Sequence, residues 1–251
     1  MFEGSCVRMP ELSIVIPAHN EARRIAGTLE DYLAYFPPNS RLDMVYEIVV
    51  VLNGCTDGTL GVVEEFSRRF PQIRFKVFRK RLGKGGAIVE GVKIASGDTV
   101  AYVDADGDAP PAEIDKLRMS LGNDAGVIGS RWLPQSDILV KQPLTRRIAS
   151  RGFNAIVRFL FGLPFTDTQC GCKVFKREPL VEAIGDVTTM GFAFDVELLY
   201  LLKQKGYTVK EIPISWQYRE GSKLRLPKEI AAILLQTVRV RLVTLKARGS
   251  R

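Results

Sequence analysis

Three carboxylates at alternate positions, Asp104, Asp106 and Asp108, close the stretch Tyr102-Val103-Asp104-Ala105-Asp106-Gly107-Asp108. Acidic groups packed this closely repel one another, and a hard divalent cation such as Mg2+ or Mn2+ relieves them best. An ion held by few carboxylates completes its shell with other oxygens, and those of a phosphate are the natural choice. A solvated acidic turn is the plainer reading of an isolated D-x-D, so the weight falls on the surrounding chain.

The apolar, β-branched Thr99-Val100-Ala101-Tyr102-Val103 contains no turn residue, which predicts a buried strand with the carboxylates at its C-terminal end. Similar units precede it. Leu12 to Pro17 is a short strand stopped by proline, Asn20-Glu21 supplies a helix N-cap, and Ile25, Leu29, Tyr32, Leu33 and Phe36 follow at helical spacing. Tyr46 to Leu52 is a second strand, followed by the polar loop Asn53-Gly54-Cys55-Thr56-Asp57-Gly58-Thr59 and a helix ending near Phe70-Pro71. Ile73 to Phe78 is a third strand and Lys84 to Ala95 a helix. This alternation predicts an α/β fold, a Rossmann-like, mostly parallel sheet with helices on both faces and ligands at the strand C-termini.

Each early loop is chemically loaded at that edge. Pro17-Ala18-His19-Asn20-Glu21 offers polar groups to a base or ribose, and Asp57 sits in a glycine-flanked turn that admits close backbone approach. For Asn20 and Asp57, helix capping is an equal explanation. Arg79-Lys80-Arg81-Leu82-Gly83-Lys84-Gly85-Gly86 places cations and glycines before a helix, which suits a diphosphate. Neither P-loop spacing nor G-x-G-x-x-G is present, against kinase and dehydrogenase readings. His19, the only histidine, carries little weight as a base.

Ala125 to Arg131 reads as a strand ending in arginine. From Ile138 through Thr166 there is no acidic residue, yet Lys141, Arg146, Arg147, Arg151 and Arg158 occur among Phe153, Ile156, Val157, Phe159, Leu160 and Phe161. An anionic amphiphile fits such a segment. Asp167 to Lys173 is a polar turn before Val174-Phe175. A helix opening at Phe192 and running through Leu202 has Asp195 and Glu197 in its first turn, two residues apart and therefore diverging. One is expected to hold a neighbouring element and the other to reach the site. Val209 to Tyr218 is a strand with Pro213 near an edge or end. Gly221-Ser222-Lys223-Leu224 is a flexible turn, and Pro227 opens a tail helix with Ile230, Ile233, Leu234, Val238 and Leu242 in a stripe that Arg241 interrupts.

This divides the chain into a domain over 10–222 and a basic amphipathic tail over 223–251, whose eight basic residues face Glu229 alone. Such a tail suits an anionic membrane surface. The 251 residues, 46% hydrophobic with a formal charge of +8, are ample for a packed core. Four cysteines without a C-x-x-C pair argue against structural zinc and for reduced thiols. With no apolar run of bilayer length and no signal-like segment over residues 1–10, the expected location is cytoplasmic, peripheral to a membrane. A nucleic-acid-binding module would explain the positive charge but not carboxylates at a strand end.

As a set, Ile16-Pro17-Ala18-His19-Asn20-Glu21, Asn53 to Thr59, Gly83-Lys84-Gly85, Asp104-Ala105-Asp106, Gly129-Ser130-Arg131, Asp167 to Lys173, Phe194-Asp195-Val196-Glu197 and Gly221 to Leu224 resemble the family 2 glycosyltransferases of GT-A fold. Within that family the chain is most similar to the polyprenyl-phosphate sugar synthases, and the last three motifs look most like the dolichyl-phosphate glucosyltransferases. The resemblance runs from about Leu12 to Leu226. It implies that a hexose, glucose from UDP-glucose first and mannose or N-acetylglucosamine next, passes to dolichyl or polyprenyl phosphate with inversion. It further implies that Pro17, Asn20, Glu21, Asn53, Asp57, Lys84 and Asp104 hold the nucleotide sugar and that Asp106, with Asp108, holds Mg2+ or Mn2+. Arg131, Arg146 and Ser150 match positions for the acceptor phosphate, and Asp104, Asp106 and Arg131 form the expected catalytic set. The competing enzyme reading is transfer to a glycan or protein hydroxyl, with Asp195 or Glu197 as base.

Overall fold

The computed structural model describes residues 9–37, 44–140, 142–218 and 235–241. Strands β1 (Leu12–Ala18), β2 (Tyr46–Asn53), β3 (Ile73–Phe78), β4 (Thr99–Val103), β5 (Gly126–Ser130), β7 (Cys172–Lys176) and β8 (Val209–Pro213) form one sheet in the order β3-β2-β1-β4-β7-β5-β8. All neighbouring pairs are parallel except those of β7, which runs antiparallel to both β4 and β5. Cys172 to Lys176, read only as an apolar run behind a turn, is thus a central strand. The expected single strand from Val209 to Tyr218 is two, broken after Pro213. The second piece, β9 (Ser215–Gln217), pairs with β6 (Asp137–Val140) in a separate two-stranded ribbon. Proline cannot donate to the ladder, which explains the break.

The apolar runs of β1 and β2 have no polar face because both sides of the sheet are covered. Val15, Val49 and Val51 point into one core with α3 (Lys84–Ile94), α5 (Leu144–Phe161), α6 (Arg177–Gly185) and α7 (Phe194–Gln204). Leu12, Ile14, Ile16, Ile48, Val50 and Leu52 point into the other, with α1 (Ile25–Tyr35), α2 (Thr59–Arg69) and α4 (Pro111–Met119). Tight approach of α3 to the sheet requires Gly91, where a Cβ would lie 2.3 Å from the Val15 side chain.

Strand order reverses between β1 and β4: β1 leads on to β2 and β3, while β4 leads to the β7 side. The loops leaving β1 and β4 therefore part on opposite sides, and a crevice opens at their carboxyl ends.

The tail expectation meets the structure only at 235–241, a helical segment that docks on the domain rather than standing apart from it. Thr237 and Val240 are buried, and Arg241 donates to the Tyr200 hydroxyl at 2.5 Å while lying over the Phe161 and Tyr200 rings. The expected turn at Gly221 to Leu224 and the stripe residues Ile230, Ile233, Leu234 and Leu242 lie outside the described residues.

Candidate active site

The crevice is a cavity of about 960 Å3. Pro17, His19 and Glu21 enter from the β1 end, Asn53 from β2, and Arg81 to Lys84 from the start of α3. Asp104 and Asp106 come from the end of β4. Residues 188–192 and the side of the 235–241 segment, through Gln236, Arg239 and Val240, close the remaining wall.

Lys84 Nζ meets Asp104 Oδ1 at 2.7 Å. Burial works against the charge of both groups, but each overcomes it through the other. The Lys84 ammonium is held protonated well above its ordinary range, and the Asp104 carboxyl is drawn below its own. Arg131 lies close enough for its charge to help keep Asp104 ionised. Asp106 goes the other way: burial, then repulsion from Asp104, pushes it up to about 6. Its nearest cation is Arg24, with Nη1 at 4.0 Å from Asp106 Oδ2 and that Nη1 itself buried without a hydrogen-bond acceptor. The other side of the Arg24 guanidinium is fixed on Glu21, Nη2 to Oε2 at 2.5 Å.

A partly buried carboxylate with raised proton affinity, its ion-pair partner Arg24 as far off as 4.0 Å, fits a divalent ion. Among the described residues no group of three metal-ligating side chains exists, and of the three carboxylates Asp106 faces the cavity beside Asp104. Asp108 does not join it. Gly107 takes a left-handed φ of 70°, after which the Asp108 N–H donates back to Asp106 Oδ1 at 3.4 Å and the Asp108 carbonyl accepts from Gln217 N–H at 3.0 Å. Asp108 is absent from the cavity lining.

The polar loops divide their labour. Asn53 is locked by its side chain, donating to the Gly83 carbonyl at 3.0 Å and accepting from Leu82 N–H at 2.6 Å, while His19 Nδ1–H donates to the Asn53 carbonyl at 2.7 Å. Asn20 and Asp57 do not line the cavity. Asn20, at a left-handed φ of 56°, accepts from Thr56 N–H at 2.7 Å; Asp57 accepts from Thr59 N–H at 3.0 Å and Ala22 N–H at 3.2 Å. They clip the β1 and β2 loops together.

The glycines opening α3 also serve packing. A Cβ at Gly83 would lie 2.2 Å from the Met190 carbonyl and one at Gly85 2.4 Å from Phe194 Cβ, while Gly86 N–H donates to the Met190 carbonyl at 3.0 Å. The 188–192 wall, which no motif announces, is thus pulled onto α3. Glu197 holds it from behind, accepting from Thr188 N–H at 3.1 Å and Thr189 N–H at 2.7 Å. Asp195 is fully buried, accepting from Lys173 Nζ at 2.5 Å and Tyr102 OH at 2.8 Å. Neither carboxylate lines the cavity, so the expectation that one reaches it is not met.

Arg131 belongs to a second cavity of about 220 Å3, together with Trp132, Arg147, Arg151 and Trp216. Its guanidinium is clamped on the buried Asp167, Nε at 2.7 Å and Nη2 at 2.9 Å. Arg146 and Ser150 line neither cavity. Arg146 lies over the Tyr218 ring at 5.8 Å, and the Ser150 carbonyl accepts from Asn154 Nδ2 at 3.0 Å. One helical step moves the cations that do face this cavity to Arg147 and Arg151. Sequence spacing could not separate adjacent arginines, and nothing in the sequence marked Arg24 or Gln236.

Comparison with known proteins bears on the family and the fold. The chain is 32% identical over 223 residues to the dolichyl-phosphate beta-glucosyltransferase of Dictyostelium discoideum, covering 85% of this chain and 68% of that one. It is 33% identical over 234 residues to the Saccharomyces cerevisiae enzyme of the same name, covering 86% and 69%. Against glycosyltransferase AglD of Haloferax volcanii it is 31% identical over 235 residues, 91% of this chain but only 36% of that longer protein. A crystal structure of glucosyl-3-phosphoglycerate synthase from Mycobacterium tuberculosis with Mn2+, UDP and glucosyl-3-phosphoglycerate superposes with a TM-score of 0.67 at 19% identity, over 93% of this chain and 79% of that one, which establishes the fold alone. Residues 13–183 match the glycosyl transferase family 2 model, and the chain belongs to that family.

Proposed function

We propose that this protein transfers glucose from UDP-glucose to dolichyl or polyprenyl phosphate, inverting the anomeric carbon. The observation that carries the reading is Asp106, a partly buried carboxylate of raised pKa beside an ionised Asp104 and Lys84, facing a cavity large enough for a nucleotide sugar. Relatives named dolichyl-phosphate beta-glucosyltransferases support the donor sugar and the acceptor.

On this reading Pro17, Glu21 and Asn53 border the nucleoside, with Asn20 and Asp57 tying their loops. Asp104, held by Lys84, positions ribose or diphosphate, and Lys84 adds positive charge beside the phosphates. Asp106 would hold Mg2+ or Mn2+, which when bound supplies charge stabilisation to the departing diphosphate. An oxygen of the lipid phosphate attacks the anomeric carbon, a C–O bond forms, and the bond to the diphosphate breaks with its electron pair leaving on UDP. A phosphate monoester is largely ionised near neutral pH, so its oxygen needs no tuned base. The residues' contribution is placement and charge: Arg131, fixed by Asp167, and Arg147 and Arg151 beside it face the acceptor. Transfer to a hydroxyl would need a carboxylate base, and Asp195 and Glu197 both lie outside the cavity lining and are committed to structural partners.

Among the described residues no helix is long and apolar enough to cross a membrane. The reading extends to location: peripheral, at a membrane face where a water-soluble nucleotide sugar and a lipid phosphate are both within reach. Incubation with radiolabelled UDP-glucose and polyprenyl phosphate tests it. Label in an acidic, organic-extractable product released by mild acid is expected; label only in protein or water-soluble glycan would overturn it.

A further inference from the structure

We propose that the outward face of α5, continued by β6, is the surface by which this chain lies on an anionic bilayer, with the arginine and tryptophan cavity at headgroup depth. The inference rests on reading the acceptor as a membrane lipid. Helix α5 turns Phe153, Val157 and Phe161 into the core. On the far side Leu144 is 65% exposed, Ile148 64% and Phe159 88%. At about 100° per residue these three fall within roughly 60° of one another on the helical wheel. A helix that only faced water would carry polar residues there. Leu139 and Val140 of β6 add exposed apolar surface next to the start of α5.

Charge says what covers this face. Arg147, Arg151 and Arg158 run along one edge of the stripe, and no acidic residue occurs between Ile138 and Thr166. An apolar stripe with cations along one edge and no acidic residue on its own helix matches the acyl and headgroup layers of an anionic membrane. A second copy of the chain would bring like charges together. The tail is itself strongly basic and equally ill matched to this edge.

The cavity at the same edge gives the second observation. It is lined by Arg131, Arg147 and Arg151 together with Trp132 and Trp216, and Trp132 Nε1 is buried without an acceptor. An indole N–H with no partner, among guanidinium groups, calls for an anionic oxygen. Tryptophan is also the side chain that favours the membrane interface.

Both tryptophans of the chain line this cavity, so their fluorescence reports on it alone. The full chain is mixed with phosphatidylcholine vesicles, with and without phosphatidylserine, some carrying acyl-brominated lipid. Sedimentation with the phosphatidylserine vesicles and quenching by brominated lipid are expected. The double variant Leu144→Glu/Phe159→Glu, altering two exposed side chains, should lose about tenfold in partitioning per side chain. No vesicle binding by the wild type, undiminished binding of the variant, or binding without quenching would each overturn the proposal. So would a wild-type dimer that the variant dissociates while still binding vesicles. Glucose transfer to a short, water-soluble prenyl phosphate is measured alongside. Its persistence in the variant separates surface from chemistry, and its absence in a wild type that binds vesicles as expected sinks the acceptor reading while leaving the surface.

Discussion

Gly171 sits against the Asp104 carboxylate, and replacing it with alanine is a test that the geometry makes quantitative. A Cβ there would lie 1.9 Å from Asp104 Oδ2 and 2.4 Å from its Cγ. Gly171 is not among the residues of positive φ, so alanine's backbone fits and only the space is at issue. Moving Oδ2 from 1.9 Å to the 3.0 Å that real Cβ contacts respect requires a shift of about 1.1 Å, which displaces the carboxylate whose other oxygen, Oδ1, meets Lys84 at 2.7 Å. Misplacement of about 1 Å at a positioning group costs on the order of 100-fold in rate, about 2.7 kcal/mol. Stability should fall by no more than about 1 kcal/mol, since the Asp104 side chain is 40% exposed and its ion pair is partly screened. Initial rates of extractable glucose transfer measure the first quantity and thermal unfolding the second. Gly27→Ala and Gly61→Ala, in helices with nothing within 4 Å of the new Cβ, serve as controls and should leave activity unchanged. Wild-type turnover in Gly171→Ala would refute the placement of Asp104 in the reacting cavity.

Asp106 must be ionised to hold a cation, and with its pKa pushed up to about 6 the proton competes from that pH downward. Mn2+-dependent UDP affinity, followed by calorimetry, should be level above pH 7 and fall roughly tenfold per unit below about pH 6; Asp106→Ala should bind UDP weakly, without Mn2+ enhancement. Lys173→Met leaves the fully buried Asp195 without its cation and should cost about 3–5 kcal/mol in denaturant unfolding; unchanged stability would show the pair to be dispensable. Glu197→Ala strands the Thr188 and Thr189 N–H groups and loosens the 188–192 wall, at about 1–3 kcal/mol of stability. Its KM for UDP-glucose should rise more than its kcat falls, and the reverse would place Glu197 nearer the chemistry.

The strands and their order of chemistry were legible because periodicity and β-branching report burial directly. Val49, Val51 and their neighbours alternate between two cores with no polar residue among them, which marks a sheet covered on both faces. The placement of Asp104 and Asp106 at a strand end followed from the same pattern. What local pattern does not encode is which polar side chain turns inward. Asp108 is removed by one left-handed glycine, and Arg146 yields to Arg147 and Arg151 by a single helical step. Asn20 and Asp57 have the chemistry of ligands but are spent on joining two loops. Arg24, the 188–192 wall and Gln236 reach the cavity through long-range packing, on which spacing is silent. The antiparallel β7 was hidden because a five-residue apolar run behind a turn does not reveal its direction.

The account stands on a cation bound by Asp106 in company with a diphosphate. Anomalous diffraction from crystals grown with Mn2+ and UDP measures this directly. A manganese peak in coordination contact with Asp106, bridged to UDP phosphates lying beside Lys84, is the predicted result. UDP bound with its phosphates away from β4, or manganese held elsewhere with Asp106 left bare, would contradict it.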